Sequence, residues 1–191
     1  MMKRLKTLMA TTIAVLSLTA CKTVPSYTND YANADQNIKG ITLNNEQAYD
    51  VGSRFVAAFN TLGTPVFVDR ASSLYADQLF INDTLSQFAH KKDLIKHFEG
   101  MNSRVSNVSV KLISATHHED SAYIHWKMAY DFKIFGTKRA MKSYGISEIK
   151  INQANQIIFQ QDFWDPANGL YRSMPVVGGI YGWILPFKNT R

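Results

Sequence analysis

Residues 123–134 read YIHWKMAYDFKI, and this run decides the fold. Apolar residues occupy every second position of the run, while most positions between them are polar. A period of two residues is typical of a β-strand that turns one face toward a core. The alternating apolar residues are Ile124, Trp126, Met128, Tyr130, Phe132 and Ile134.

Strands are also predicted on both sides of this run. Upstream, Val108, Val110 and Leu112 alternate with polar residues. Downstream, strands are predicted over residues 138–151 and 156–164, separated from their neighbours by turn-forming residues such as Gly136-Thr137. The second half of the chain is therefore an antiparallel sheet.

The residues before residue 104 follow a helical period instead. Val51, Phe55 and Leu62 fall on one face of a first helix, which Asn44 or Asn45 can cap and which ends before Pro65. A second short helix is predicted from residue 66 to residue 75, a short strand over 79–83, and a third helix over 91–101. Helices followed by long strands indicate an α+β fold, with three N-terminal helices on the concave face of a curved antiparallel sheet.

This order of elements resembles the nuclear transport factor 2-like superfamily, a cone-shaped or cystatin-like roll. The superfamily includes ketosteroid isomerases, SnoaL-type polyketide cyclases and limonene epoxide hydrolases. Three segments carry the resemblance: YADQLFIND at 75–83, YGISEIKI at 144–151 and QDFWD at 161–165. The last is similar to the closing strand of SnoaL-like proteins. The resemblance covers residues 46–180, which we expect to form a SnoaL-like domain.

The resemblance implies an apolar cavity between the first helix and the sheet, and such cavities are the usual place for a small ligand. The residues expected to line this cavity are Phe55, Phe59, Trp126, Met128, Tyr130, Ser147 and Trp164.

The isomerase mechanism needs a carboxylate base and two donors, a Tyr and a protonated Asp. Asp83 falls at the position of the base. Phe55 stands where the Tyr belongs, and Ser147 stands where the donor Asp belongs. A phenyl ring has no hydroxyl to donate, so ketosteroid isomerisation is disfavoured. A turn-closing role for Asp83 is the structural alternative.

Asp162 is the first candidate for an acid/base residue, because it matches the late carboxylate of the cyclases and of the epoxide hydrolases. The hydrolase set is otherwise incomplete: Asp131 is a possible second carboxylate, but Ala129 stands where the Arg is required. A desolvated Asp162 would have a raised pKa, which suits proton transfer. The alternative is a strand residue that bonds only to its neighbours.

The N-terminus predicts export and lipidation. Lys3, Arg4 and Lys6 precede an apolar stretch, and the segment ends Leu18-Thr19-Ala20-Cys21, which resembles the bacterial lipobox. The resemblance implies a signal peptide over 1–20 and acylation of Cys21, which would anchor the protein in a bilayer. Lys22 is not the Asp that retains lipoproteins at the inner membrane in enteric-type bacteria, so the outer membrane, facing the periplasm, is expected. The alternative is a secreted protein in which Cys21 is not acylated.

Residues 21–45 are polar and predict a flexible tether, and residues 181–191 form an aromatic-basic tail that either packs over the domain or rests on the membrane. The open sheet face, at Tyr123, His125 and Lys127, is a possible homodimer contact.

Composition restricts the partners. The formal net charge is +6, but residues 1–20 hold three of the 21 basic residues, so 18 basic and 15 acidic residues remain. No basic cluster with interleaved aromatics is present, so nucleic acid is not expected. One cysteine excludes a disulfide within the chain, and no cofactor motif occurs. His117 to Asp120 is interpreted as a hairpin turn and not as a metal site.

These observations favour a lipid-anchored envelope protein that binds a small apolar ligand or a partner protein, without catalysis. The alternative is an enzyme of the cyclase, isomerase or epoxide-hydrolase type that uses Asp162, with Asp83, as acid and base.

Overall fold

A computed structural model describes residues 27–134, 136–174 and 177–184. The chain divides into two compact units, residues 1–36 and residues 37–191. Helix α1, Tyr27–Asn37, occupies the described part of the first unit. The predicted signal peptide and Cys21 lie outside the described residues, as do residues 185–191 of the predicted tail.

The remaining elements belong to the second unit. They are α2 (Asn45–Phe59), α3 (Phe67–Leu74), β1 (Tyr75–Asn82), β2 (Gln87–His90), α4 (Lys91–Asn102), β3 (Val105–His118), β4 (Ser121–Ile134), β5 (Thr137–Ile151), β6 (Ile157–Trp164), α5 (Pro166–Gly169), a 3-10 turn (Tyr171–Ser173) and α6 (Val177–Ile184).

Helix α2 begins where the sequence predicts. The Asn44 side chain accepts a hydrogen bond from the Gln47 amide, and the Gln47 side chain accepts one from the Asn44 amide, both at 2.9 Å. This reciprocal capping box satisfies donors that the first turn leaves free. The apolar face of α2, with Val51 and Phe55, is then buried in the core.

The six strands form one curved, open sheet in the order β2-β1-β6-β5-β4-β3, which confirms the predicted α+β architecture. One pairing differs from the prediction: β1 runs parallel to β6, while every other pair is antiparallel. A parallel pair needs a long crossover, and most of the domain lies between these two strands. Local sequence patterns carry no information on such a pairing. The short strand β2 was also not predicted.

Register divides the residues of β4 between the two faces of the sheet, as the period of two predicts. Ile124 and Trp126 are buried on the inner face, toward the helices, whereas Lys127 is exposed on the outer face. Strand β3 carries irregularities on either side of Ser109 to Leu112. Asn107, with φ of 53°, lies in the first of them. Such bulges bend the strand and help to curve the sheet around the core.

Aromatic rings from three helices meet on the inner face. Phe59, Phe67 and Phe98 have ring centroids 5.5 to 5.7 Å from one another. Tyr75, predicted at the end of the second helix, instead begins β1 and packs on Phe98. This cluster packs α2, α3 and α4 against the sheet. It also closes one side of the space between these helices and the inner face of the sheet.

The N-terminal boundary of the domain differs from the prediction of a tether over residues 21–45. Helix α1 lies within that range. The amides of Gly40, Ile41 and Leu43 then donate to Asp120 Oδ2, to the Ile151 carbonyl and to the Glu119 carbonyl, each at 2.9 Å. Leu43 is also buried in the core. These bonds satisfy backbone amides inside the domain, whereas the polar composition predicted that the same backbone is solvated.

Helix α6 crosses residue 181, where the predicted tail begins. No helix in the described part of the chain is long and apolar enough to span a bilayer.

Candidate functional site

A cavity of about 540 Å³ lies between helices α2 and α4 and the inner face of the sheet. Its size is within the range of pockets that hold small organic molecules. Most of its wall is apolar, and both predicted acid/base residues, Asp83 and Asp162, line it. Six of the seven predicted pocket residues also line it, namely Phe55, Phe59, Trp126, Met128, Tyr130 and Trp164.

Ser147 is the exception, because its side chain does not line the cavity. It is fully buried in β5, where its hydroxyl donates to Asp162 Oδ1 at 2.6 Å. The same hydroxyl accepts a hydrogen bond from Trp126 Nε1 at 2.9 Å. Ser147 therefore lies behind the wall of the cavity and bonds to Asp162, which does line the cavity.

Asp162 lies on β6, directly opposite Ser147 on β5. Its side chain is almost fully buried, and two donors meet on one carboxyl oxygen: Ser147 Oγ and, at 2.9 Å, Gln160 Nε2 both donate to Oδ1. No described cation lies within ion-pair distance of Asp162. Oδ2 is therefore the oxygen that remains available to a ligand in the cavity.

Each of the two residues that donate to Asp162 accepts, in turn, a hydrogen bond from an aromatic side chain. Tyr75 Oη donates to Gln160 Oε1 at 2.8 Å, and Trp126 Nε1 holds Ser147 as described. Gly145 makes room for this indole, since a Cβ there would lie 2.5 Å from Trp126 Cζ2. Two relays thus fix the orientation of the Asp162 carboxyl group.

The environment of Asp162 raises its pKa from 3.8 to about 7. Burial is the largest cause, because removing water disfavours the charged form. The hydrogen bonds from Ser147 and Gln160 favour the carboxylate and oppose the shift, and the negative charge of Asp83 adds to it. The result is a carboxyl group that changes its protonation near neutral pH.

Asp83 is bound differently, in the turn after β1. Its Oδ1 accepts from the amides of Leu85 and Ser86 at 2.9 and 2.6 Å, so it closes the turn as the structural alternative predicted. Its Oδ2 lies 3.1 Å from His97 Nε2. Trp164 Nε1 donates to the Asp83 carbonyl at 2.9 Å. Both carboxyl oxygens of Asp83 are thus engaged, although the residue lines the cavity.

The structure keeps two other candidates out of the cavity. Asp131 faces the outer side, where it accepts from Asn107 Nδ2 at 2.7 Å. His117 and His118 end β3, and Glu119 and Asp120 form the turn to β4. Among the described residues, no group of side chains is arranged to hold a metal ion. The residues predicted for a homodimer contact, Tyr123, His125 and Lys127, lie on the outer face of β4. The contact itself stays a prediction.

The missing isomerase donor is not replaced by a neighbour. Phe55 lines the cavity with its ring 4.6 Å from that of Phe59. Tyr130 also lines the cavity, but its hydroxyl donates to the Gly169 carbonyl at 3.3 Å. Neither residue offers the pair of donors that an enolate oxygen needs.

Sequence reasoning missed several residues that the fold brings to the cavity. Gln160 lines the cavity, and Tyr75, 85 positions away in the chain, bonds to it without lining the cavity. His97 on α4 lines the cavity beside Asp83. Lys96 and Arg104 line it as well. The helical spacing of His97 with Met101 could have indicated His97, but no local signal indicated the others.

No family model matches the chain, and no curated protein matches it in sequence. Solved structures do match. An LEH-like epoxide hydrolase of M. tuberculosis is 14% identical, with a TM-score of 0.53 over 75% of this chain and 98% of that one. An NTF2-like protein of unknown function from Exiguobacterium is 11% identical, with a TM-score of 0.53 over 60% and 98% of the two chains.

A third match is a putative SnoaL-like polyketide cyclase from Shewanella denitrificans, 8% identical, with a TM-score of 0.55 over 63% of this chain and 92% of that one. The domain has the nuclear transport factor 2-like fold. The resemblance noted in the sequence is confirmed at the level of fold. Identities this low show the fold and carry no activity across to this chain.

Proposed function

We propose that the domain binds a small, mainly apolar molecule in the cavity and that Asp162 exchanges a proton with it. One observation carries this proposal: the buried Asp162 carboxyl group lines an apolar cavity, and no described cation lies within ion-pair distance of that group. A carboxyl group in such a place destabilises the folded state when it is ionised. Carboxyl groups of this kind are concentrated at functional sites.

The pKa of about 7 gives Asp162 the property that an acid/base group needs at neutral pH. Comparable amounts of the acid and of the carboxylate exist there, so the residue can accept a proton in one step and return it in the next. A well-placed group of this kind accelerates a reaction by about 10²- to 10⁴-fold. The Ser147 and Gln160 bonds fix Oδ1, so Oδ2 is the reacting oxygen.

The reaction class follows from the groups that surround Asp162. Phe55 and Ser147 leave no pair of donors for an enolate oxygen, which argues against steroid isomerisation. Proton transfer by a single carboxyl group, as in a cyclase-type reaction, requires only Asp162, whereas epoxide hydrolysis also needs the Arg that Ala129 replaces. A structural neighbour described as a putative SnoaL-like polyketide cyclase supports the cyclase-type class.

Binding without turnover is the second candidate, and specific observations favour it. Ala129 occupies the place of the hydrolase arginine, and Asp131 lies on the outer face. Asp83 has both oxygens engaged. In this case Asp162 would act only as a hydrogen-bond partner to the ligand.

The experiment begins with native mass spectrometry of the full chain, isolated without denaturant, to identify a bound small molecule. That molecule and its close analogues are then incubated with the wild type, Asp162→Asn and the control Asp131→Asn. We expect turnover by the wild type and by the control, and a loss of about 100-fold or more in Asp162→Asn. A ligand that binds all three proteins and is never converted establishes the second candidate instead.

We further infer from Leu18-Thr19-Ala20-Cys21 that the protein is a lipoprotein of the cell envelope, anchored through acylated Cys21 and facing the periplasm from the outer membrane. The test is labelling of cells with a clickable palmitate analogue, followed by membrane fractionation. Label should be found on the wild type in the outer-membrane fraction and be absent from Cys21→Ser. Unlabelled wild-type protein in the medium contradicts the inference.

A further inference from the structure

Two cations border the opening of the cavity. Lys96 on α4 and Arg104, between α4 and β3, both line the cavity and are both exposed to solvent. Because both residues are exposed and also belong to the wall, we place them where the cavity meets water. Neither side chain makes an ion pair with any residue that the structure describes.

The other charged groups of the wall do not neutralise these cations. Asp83 is bound by two backbone amides and by His97. Asp162 lies buried beneath, bonded to Ser147 and Gln160. The opening therefore presents two unpaired cations above an apolar interior.

We propose that the ligand is an amphiphile: an apolar body inside the cavity and an anionic group, a carboxylate or a phosphate, bound at the opening by Lys96 and Arg104. This inference rests on the proposed function of the cavity. Arg binds the oxygens of either anion with two parallel hydrogen bonds, and Lys adds a point charge with three donors. Because the opening is solvated, the anionic group keeps part of its hydration there.

The arrangement fixes the direction in which the ligand enters. The anionic group stays at the opening, so the apolar body points inward, toward Asp162. Asp162 then acts on a part of the molecule that is remote from the anionic group. Lys96 and Arg104 are positioning residues in this scheme, because they bind the ligand without touching the reacting atoms.

The test uses two fluorescent probes that share an apolar body. 1-Anilinonaphthalene-8-sulfonate carries an anionic group, whereas N-phenyl-1-naphthylamine does not. Both are titrated into the full chain carrying Cys21→Ser, with quenching of tryptophan emission as a second readout, because Trp126 and Trp164 line the cavity. The variant is Lys96→Gln/Arg104→Gln. The control, Lys92→Gln/Lys111→Gln, removes the same charge from exposed residues outside the cavity.

We expect the anionic probe to lose about tenfold or more in affinity, equal to about 1.4 kcal/mol, in the cavity variant only. The uncharged probe should bind all three proteins equally. Loss of both probes in equal measure, or loss of the anionic probe in the control as well, overturns the assignment of Lys96 and Arg104 while leaving the cavity as a binding site. Absence of binding by either probe to the parent protein contradicts the proposed function itself.

Competition then distinguishes the two anionic groups. Decanoate and decyl phosphate should each displace the anionic probe at about tenfold lower concentration than decanol or decyltrimethylammonium. Displacement by only one of the two anions supports the proposal and narrows it to that group. Equal displacement by all four compounds contradicts it.

Discussion

The two faces of the sheet bury charge in different ways. On the outer face, Lys150 is almost fully buried, yet its Nζ lies 3.5 Å from Asp120 Oδ1, 3.2 Å from the Ile38 carbonyl and 5.3 Å from the centre of the Phe159 ring. On the inner face, Asp162 is buried with hydrogen-bond donors but without a described cation.

We interpret Lys150 as a structural charge and Asp162 as the charge with the proposed function. A buried charge that has its partners stabilises one arrangement of the chain: Lys150 and Asp120 join β5, the β3–β4 turn and the segment before α2. A buried carboxyl group without a counterion costs stability whenever it ionises. This position beside a cavity is the basis of the acid/base role proposed for Asp162.

The largest expected effect tests this cost directly. Since the pKa of Asp162 is 3.8 in the unfolded chain and about 7 in the folded one, the folded state holds an extra proton between those values. The free energy of unfolding therefore falls as pH rises from about 4 to 7, by about 4 kcal/mol at 1.36 kcal/mol per unit. Asp162→Asn, which cannot ionise, should lack this decline and be more stable than the wild type at pH 8.

Urea unfolding at pH 4, 5.5, 7 and 8 measures the free energy of unfolding of both proteins. Subtracting one value from the other cancels the contribution of every other titrating group. If the difference in free energy of unfolding stays constant across this range, the contrast between the two faces is contradicted. Ionisation of Asp162 would then destabilise the folded state no more than ionisation of an exposed aspartate does.

The second prediction concerns the outer face. Lys150→Met removes the charge-assisted bonds to Asp120 and to the Ile38 carbonyl, so the free energy of unfolding should fall by about 2 kcal/mol. Ligand binding in the cavity should be unchanged, since Lys150 faces the other side. Lys142→Met, an exposed lysine on the same face of β5, is the control and should change stability by less than about 0.5 kcal/mol. An equal effect of the two substitutions would show that the Lys150 contacts are not structural.

The smallest expected effect compares one serine on each face. Ser147 donates to Asp162, and Ser121 donates to Glu148 Oε1 at 3.0 Å on the outer face. Each Ser→Ala change should cost about 1 kcal/mol in stability. Only Ser147→Ala should raise the pKa of Asp162 above its wild-type value, because it removes a bond that favours the carboxylate. Titration by carboxyl NMR checks this, and a lowered pKa in Ser147→Ala would be the contrary result.

Much of the fold could be predicted from local patterns. The period of two assigned Trp126 to the inner face and Lys127 to the outer face, and Asn44 marked the start of α2. The same period puts Asp131 on the face opposite Trp126, which is where it lies. These features depend on neighbouring residues, whose order along the chain is enough to reveal them.

The rest depends on contacts between distant segments. The parallel pairing of β1 with β6 brings Tyr75 to Gln160, and the packing of α4 brings His97 to Asp83. Residues 40–43 resemble a tether in composition, but the amides of Gly40, Ile41 and Leu43 donate to the β3–β4 turn and to the end of β5. No local pattern encodes such pairs, so the hydrogen-bond network around Asp162 could not be predicted even though Asp162 itself was.

The most direct test of the account is the titration of the Asp162 carboxyl carbon by ¹³C NMR in the full chain, with Asp162→Asn to assign the signal. The account predicts a midpoint near pH 7, about three units above that of an ordinary aspartate. A midpoint near 3.8 would mean that Asp162 stays ionised at neutral pH, and it would contradict the assignment of this residue as the acid/base group of the cavity.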